Sequence, residues 1–388
     1  MSKTKTKHAS LVKTDENSKL WPSLTGVRGL AALWVLMLHV YSLAGSPDSV
    51  PVAFAWLSQM GWTGVDIFFT LSAFLLSLPY AHAIRSKHPA PAMSRYFKRR
   101  IARVMPAYYL QCLVLGVLVA AGFAKLVFWY EPSWQGWLAH AALWINAWPL
   151  VPAYLPVWWT LPVELGFYLL LPWLAKCLTD KRWYWLLAGI ALSLLYRHAV
   201  LAAGFSKEHE FYWADNLPGR LFQFLIGMLA AFFWVKWRAQ NFFISNVLRN
   251  LIFGFSCAVL IALPALGWPE GATYRGSPTS EGVVAYYHLF ASILIAVILV
   301  ILVSGQTLAD GLLASWPLQW LGKISYGLYL WHYPVILLLL EDMGGIQAVQ
   351  SKFLSFFIFS FLISVTLAFL SWHWLEAPIM KRVGSSVA

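Results

Sequence analysis

Hydrophobic residues run along most of this chain in blocks of about twenty, and short polar connections between them hold most of the lysines and arginines. The blocks fall at about 24–45, 62–82, 104–128, 156–176, 183–203, 217–236, 249–267, 284–304, 323–341 and 353–375. At ~1.5 Å per residue, about twenty residues cross a hydrocarbon layer of ~30 Å. The pattern predicts an all-α polytopic membrane protein with about ten transmembrane helices. A further stretch, 134–150, is short, rich in tryptophan and contains His140 and Asn146. Its length suits an interfacial or re-entrant piece better than a span, so it is read as a non-spanning outer segment. Residues 1–21 are polar, with no apolar h-region of a signal peptide, and are read as a disordered basic cytoplasmic tail. Residues 22–382 are read as one membrane domain and 383–388 as a short terminal tail.

The positions of the charges set the expected orientation. With the N-terminus inside and 134–150 left out of the count, 22 of the 28 basic residues fall on the inner side. Counting 134–150 as a span would flip every later connection and spoil that asymmetry. Both termini are therefore expected in the cytoplasm.

Composition agrees with a membrane chain. Of 388 residues, 60% are hydrophobic and 11% charged, against roughly 45–50% apolar and about 25% charged in soluble domains. Topology then accounts for the formal charge of +12. Nucleic-acid binding is unnecessary, and no aromatic–basic RNA motif is present. Cys112, Cys177 and Cys257 lie far apart in apolar runs, without disulfide-framework or metal-ligand spacing, so no metal is expected. No internal repeat is evident.

Ionisable residues at membrane depth are costly, which makes each a functional candidate. Arg28 and His39 lie eleven residues apart on the first helix. That spacing is roughly 1100°, three turns plus about 20°, and puts both on one face. Glu164, on the fourth helix, is estimated at a depth similar to His39, where a carboxylate could fix an imidazole tautomer. Asp66 and His332 are the other intramembrane candidates. Plainer roles stand beside each: an interfacial anchor for Arg28, an interhelix hydrogen bond for His39, an arginine partner for Glu164, helix orientation for Asp66 and a structural bond for His332. Before the third block, SRYFKRRIARVMPAYYL holds Arg95, Lys98, Arg99, Arg100 and Arg103. Arg100 and Arg103 share a helix face, and guanidinium forks suit phosphate. Coenzyme A or anionic lipid headgroups would both satisfy them. His373 and Glu376 close the last helix, where they can pair with this basic stretch.

Taken together, these stretches resemble a known family. LTGVRGLAALWVLMLHV is similar to the opening motif of the acyltransferase-3 family of integral membrane acyltransferases. GWTGVDIFFTLSAFLLS, RYFKRRIARVMPAYYL, WWTLPVELGFYLLLP, LGKISYGLYLWHYPV and WLEAPIMK resemble its later motifs, in the family's order. The resemblance covers about residues 22–382. Arg28 and His39 match the family's Arg-x10-His pair, and Arg100 and Arg103 its Arg-x-x-Arg motif, which is associated with the acyl donor. Glu164 matches the glutamate before Phe-Tyr, and His332 the Leu-Trp-His stretch. Thr25, Ala73, Leu165, Gly166 and Ala377 depart from the usual pattern beside these residues.

The resemblance implies transfer of an acyl group, acetyl above all, from cytosolic acyl-coenzyme A to a hydroxyl of a cell-envelope glycan or lipid-linked sugar. Arg28, Arg100 and Arg103 would hold the donor. His39 would act as general base or as nucleophile, with Glu164 orienting it. Asp66 and His332 would bind substrate or support the fold. The expected setting is a bacterial cytoplasmic (inner) membrane, with membrane lipid, acyl-coenzyme A and a carbohydrate or other hydroxyl acceptor as partners. Some relatives carry a soluble hydrolase-like domain after the membrane part; the few residues following the last block lead us to expect none here. Acylation of a macrolide or other small molecule is the alternative within this class. A proton-coupled transporter is the alternative outside it, since intramembrane His, Asp and Glu also build proton relays. Transporters usually show repeats and paired broken helices, and neither is seen. The acceptor and the oligomeric state stay open at this stage.

Overall fold

Inside hydrocarbon a backbone N–H or C=O has no water to bond, so an apolar block can be satisfied only as a helix or a closed barrel. In the computed structural model, which describes residues 21–123, 131–145, 151–205, 212–240, 244–263 and 281–385, the blocks are helices. They are α1 Pro22–Leu43, α2 Thr63–Ser86, α3 Met93–Ala120, α4 Thr160–Leu174, α5 Tyr184–Ala202, α6 Leu217–Ala239, α7 Asn246–Ala262, α8 Glu281–Ser304, α9 Trp316–Asp342 and α10 Phe353–Ser371. A π turn at Trp372–Glu376 leads into a terminal helix, α11 Ala377–Ser385. Among the described residues, nine helical stretches are long and apolar enough to cross a membrane. At 17 residues α7 is shorter, and the block expected there continues beyond the described residues.

Two boundaries differ from the sequence reading in ways that matter. The third helix starts at Met93 rather than near 104, so Arg95 to Arg103 lie on about two and a half helical turns instead of in a connection. No breaker separates Pro91 from Pro106, and the basic side chains are good helix formers. The ninth helix starts at Trp316 rather than 323, with Pro317 in its first turn, where the missing N–H costs nothing. That places Lys323 within the helix.

Helices α2 and α6 are among the most buried, and α3, α5 and α10 lie at the rim. The Phe224 ring of α6 stacks on Phe69 of α2 at 4.7 Å and on Phe167 of α4 at 4.3 Å. Rim side chains such as Leu113, Leu192 and Leu354 point outward, where hydrocarbon would cover them. Helices α1 and α9 run parallel and meet backbone to backbone. A Cβ on Gly29 would stand 2.4 Å from Leu318 O and 2.8 Å from Gly322 N, and one on Gly322 would stand 1.9 Å from Thr25 O. Only glycine permits that approach.

Within the expected outer segment, Trp134–Ala141 is an eight-residue helix, about 12 Å long. It is tied to α3, whose Tyr108 and Tyr109 hydroxyls donate to the carbonyls of His140 and Ala141 at 2.8 and 2.9 Å. His140 is buried and stacked on Tyr154 at 4.1 Å, with Nδ1 2.7 Å from Gly136 O. Its Nε2 accepts from Tyr154 N at 3.0 Å. Burial pushes its pKa down to about 4. Residues 146–150 of that segment lie outside the described residues.

Candidate active site

A cavity of about 420 Å³ runs between α1, α2, α3, α4, α9 and α11 from the end of the bundle that carries the arginine cluster. Arg28 of α1, Arg99, Arg100 and Arg103 of α3, Lys323 of α9 and Lys381 of α11 line it. Six cations around one cavity are far more than membrane orientation needs. Helical phase explains the α3 set, since residues three and four apart share a face.

Fixed partners hold this basic wall. Arg103 stands 3.6 Å from a carboxylate oxygen of buried Glu376 and over the Trp372 ring at 5.1 Å. Both partners come from the π turn, whose extra residue swings Glu376 inward. Arg100 lies over the Tyr168 ring at 5.8 Å. Glu164 also lines the cavity, and its Oε1 accepts from the Tyr168 hydroxyl and, at 3.4 Å, from Ser72.

Farther from the basic end the lining becomes neutral. Thr160 donates to the Tyr329 hydroxyl at 3.0 Å, and Tyr329 donates to Val157 O at 2.8 Å. The Tyr329 ring lies 5.9 Å from His332, one turn on along α9.

His332 is fully buried and meets His39. Its Nε2 lies 3.0 Å from His39 Nδ1, and the ring centroids are 5.0 Å apart. His332 Nδ1 faces Leu328 O at 3.0 Å, and His39 Nδ1 faces Val35 O at 3.0 Å. A carbonyl can only accept, so each Nδ1 carries the hydrogen. His332 Nε2 is then an acceptor for His39, which makes Nε2 the basic nitrogen of a neutral His39. A neutral imidazole oriented in this way can serve as a general base or nucleophile.

The residues named from the sequence thus fall into three places. Arg28, Arg100, Arg103 and Glu164 share the cavity. His39 and His332 form a pair near its neutral part. Asp66 belongs to neither group. Glu164 bonds Tyr168 and Ser72, while His39 meets His332 and the Tyr333 ring, whose centroid lies 5.1 Å away. Pro156–Trp159 is a 3₁₀ turn, which rises ~2.0 Å per residue and carries Glu164 toward the basic end.

Asp66 is fully buried in an ionic network behind the cavity. His288 Nδ1 lies 2.9 Å from one carboxylate oxygen, Gln223 donates to it, and Arg220 stands at 3.6 Å. Asp215 then links Arg220 and Arg197, each at 2.7 Å. Arg197 and Arg220, which are among the six basic residues that the charge pattern leaves on the outer side, are 1% and 2% exposed, inside the bundle. Sequence reasoning also passed over His288, Tyr168 and Tyr329. The spacing Glu164 to Tyr168 at i, i+4 and Tyr329 to His332 at i, i+3 was the available signal for two of them. Among the described residues, no group of three His, Cys, Asp or Glu side chains is placed to hold a metal ion.

The arrangement can hold an anion at the cation-lined end of the cavity and present imidazoles near its neutral part. The family match gives this frame its chemistry: the chain belongs to the acyltransferase domain family, whose model matches residues 21–373. It is 26% identical to the peptidoglycan O-acetyltransferase OatA of Listeria monocytogenes over 390 residues, covering 95% of this chain and 57% of that protein. To the O-acetyltransferase OatA of Staphylococcus aureus (strain NCTC 8325 / PS 47) it is 26% identical over 381 residues, covering 93% of this chain and 57% of that protein. The chain therefore spans a little over half the length of the curated relatives it matches. No solved structure matches it significantly.

Proposed function

We propose that this chain moves an acetyl group from acetyl-coenzyme A to a hydroxyl of a cell-wall glycan, peptidoglycan in the first instance, in a bacterial cytoplasmic membrane. One observation carries the reading: a single cavity joins the arginine cluster to Tyr329, the neighbour of the His39–His332 pair. The donor fits that cavity by charge. Its phosphates call for clustered guanidinium groups, and the Nε of Arg100 is buried without a hydrogen-bond partner. The named relatives supply the acetyl group and the glycan acceptor.

In this reading the basic end faces the cytosol. Arg28, Arg100 and Arg103 bind phosphate, and the thioester points toward Thr160 and Tyr329. His39 Nε2 takes the proton of the acceptor hydroxyl as the oxygen bonds to the thioester carbon. The carbon–sulfur bond then breaks, and the thiolate recovers the proton from His39. His332 keeps the Nδ1 hydrogen of His39 bonded throughout, so the imidazolium forms without reorientation.

The test is acetyl transfer by the purified protein in proteoliposomes, with labelled acetyl-coenzyme A supplied from one side and peptidoglycan fragments from the other. Label should appear on the glycan and depend on His39. Labelled glycan from another acetyl donor, and none from acetyl-coenzyme A, would reassign the donor. Transfer only to small molecules would reassign the acceptor.

A further inference from the structure

Pro334 lies inside α9 and has no N–H, so the carbonyl of Leu330, one turn earlier, lacks its helical donor. Leu330 is fully buried, and no solvent can take the place of that donor. The partner comes from α3. Gln111 Nε2 donates to Leu330 O at 2.6 Å, and Gln111 Oε1 accepts from Trp158 Nε1 at 2.8 Å. Gln111 and Trp158 are both 0% exposed. The indole N–H can only donate, so it fixes which end of the amide faces α9.

The carbonyl so held lies two residues before His332, at the proline break of the helix. A neighbouring proline is treated the same way from the same helix. Pro172 frees the carbonyl of Tyr168, and the Tyr96 hydroxyl donates to it at 3.1 Å. Helix α3 therefore carries Arg100 and Arg103 for the cavity and, two turns beyond Arg103, the side chain that fixes the histidine-bearing helix.

We infer that Gln111 is a positioning residue for the His39–His332 pair, setting the course of α9 at Pro334 through the Leu330 carbonyl. The inference rests on the pair being the reacting centre. It assigns Gln111 an effect on turnover and none on donor binding, because the amide is remote from the arginine wall.

The test uses two variants of the full chain, compared with His39→Ala in the same membranes. Gln111→Met keeps the volume and loses both bonds. Its kcat should fall on the order of ten- to a hundredfold, the scale of a small misplacement of reacting groups, with donor KM unchanged. Gln111→Glu separates position from bulk. A protonated carboxyl has one donor and one acceptor and can remake both bonds, whereas an ionised one cannot donate to Leu330. Its activity should approach wild type at the acid end and fall with rising pH along a limb the wild type lacks. If Gln111→Met does not fold, that limb alone decides. A folded Gln111→Met protein with wild-type kcat beside an inactive His39→Ala overturns the inference and leaves the histidine reading standing. A Gln111→Glu profile parallel to wild type does the same. Wild-type turnover in folded His39→Ala removes the histidine reading and the inference together.

Discussion

His39 Nδ1 and His332 Nε2 face each other at 3.0 Å, and the carbonyls of Val35 and Leu328 decide which ring gives and which receives. His332 Nε2 is the acceptor and His39 Nδ1 the donor, and in the proposed reaction the basic nitrogen falls to His39. The two rings are therefore not equivalent. His39→Ala should lower kcat by about 10²–10⁴, the range for loss of a general base. His332→Ala should cost less, roughly ten- to a hundredfold, because it removes orientation and leaves the base in place. Acetyl transfer per folded molecule checks both, and equal losses would mean that the rings act as one unit.

The basic wall yields a separable prediction. Arg100→Ala or Arg103→Ala should raise donor KM by roughly ten- to a hundredfold, since a charge-assisted hydrogen bond is worth about 1.5–3 kcal/mol. Lysine at either position should restore only part of the affinity, because it cannot fork. Saturation curves against acetyl-coenzyme A at fixed glycan would show it. Unchanged donor KM in inserted, folded protein would leave these arginines to lipid headgroups.

The network around Asp66 should govern stability rather than chemistry. Asp66→Leu removes the carboxylate that bonds His288 and Gln223 and stands beside Arg220, which keeps Asp215; breaking a buried pair of this kind costs about 3–5 kcal/mol. Adding Arg220→Leu should cost less than the sum of the two single changes, because both act on one network. Thermal unfolding in detergent measures the cost. Activity per folded molecule should stay near wild type.

His140 makes stability depend on pH. Burial lowers its folded-state pKa to about 4 from an ordinary value of 6.5. Between those values the unfolded chain binds more protons than the folded one, so stability rises with pH across that window. The contribution is complete above about 6.5 and is lost as pH falls toward about 4. His140→Gln should lower Tm at neutral pH, by losing the contacts to Gly136 and Tyr154, and should flatten the slope between these limits. A slope as steep as wild type would assign the pH dependence to other groups.

The fold was legible from hydrophobic runs because hydrocarbon leaves an apolar block little choice but a helix. Arg28 and Glu164 were legible for a related reason, since a charge within such a block has to justify its cost; Arg100 and Arg103, just before the third block, were legible from their shared helix face. Partner choice was not legible. Whether Glu164 meets His39 or Tyr168 depends on a four-residue 3₁₀ turn and on how adjacent helices register. Arg197 and Arg220 were misread because a basic residue near the end of a block looks like an interfacial anchor until Asp215 is seen between them. Gln111 gave no sequence signal, because its importance lies in a missing N–H on another helix.

Gly29 meets Gly322, and ten residues farther along each helix His39 meets His332. Ten residues are about 15 Å, so two parallel rods are pinned at one level and carry their working groups at another. A single methyl at Gly29 would need space the backbone of α9 already fills. The rods would have to part or tilt, and a lever of that length turns a few degrees at the pin into a displacement of about an ångström at the imidazoles. Substitutions that look mildest on a chemical scale, glycine to alanine on α1 or α9, are thus among the most consequential for an engineer altering this chain. Tolerance to change follows the geometry of the pin rather than distance from the reacting atoms.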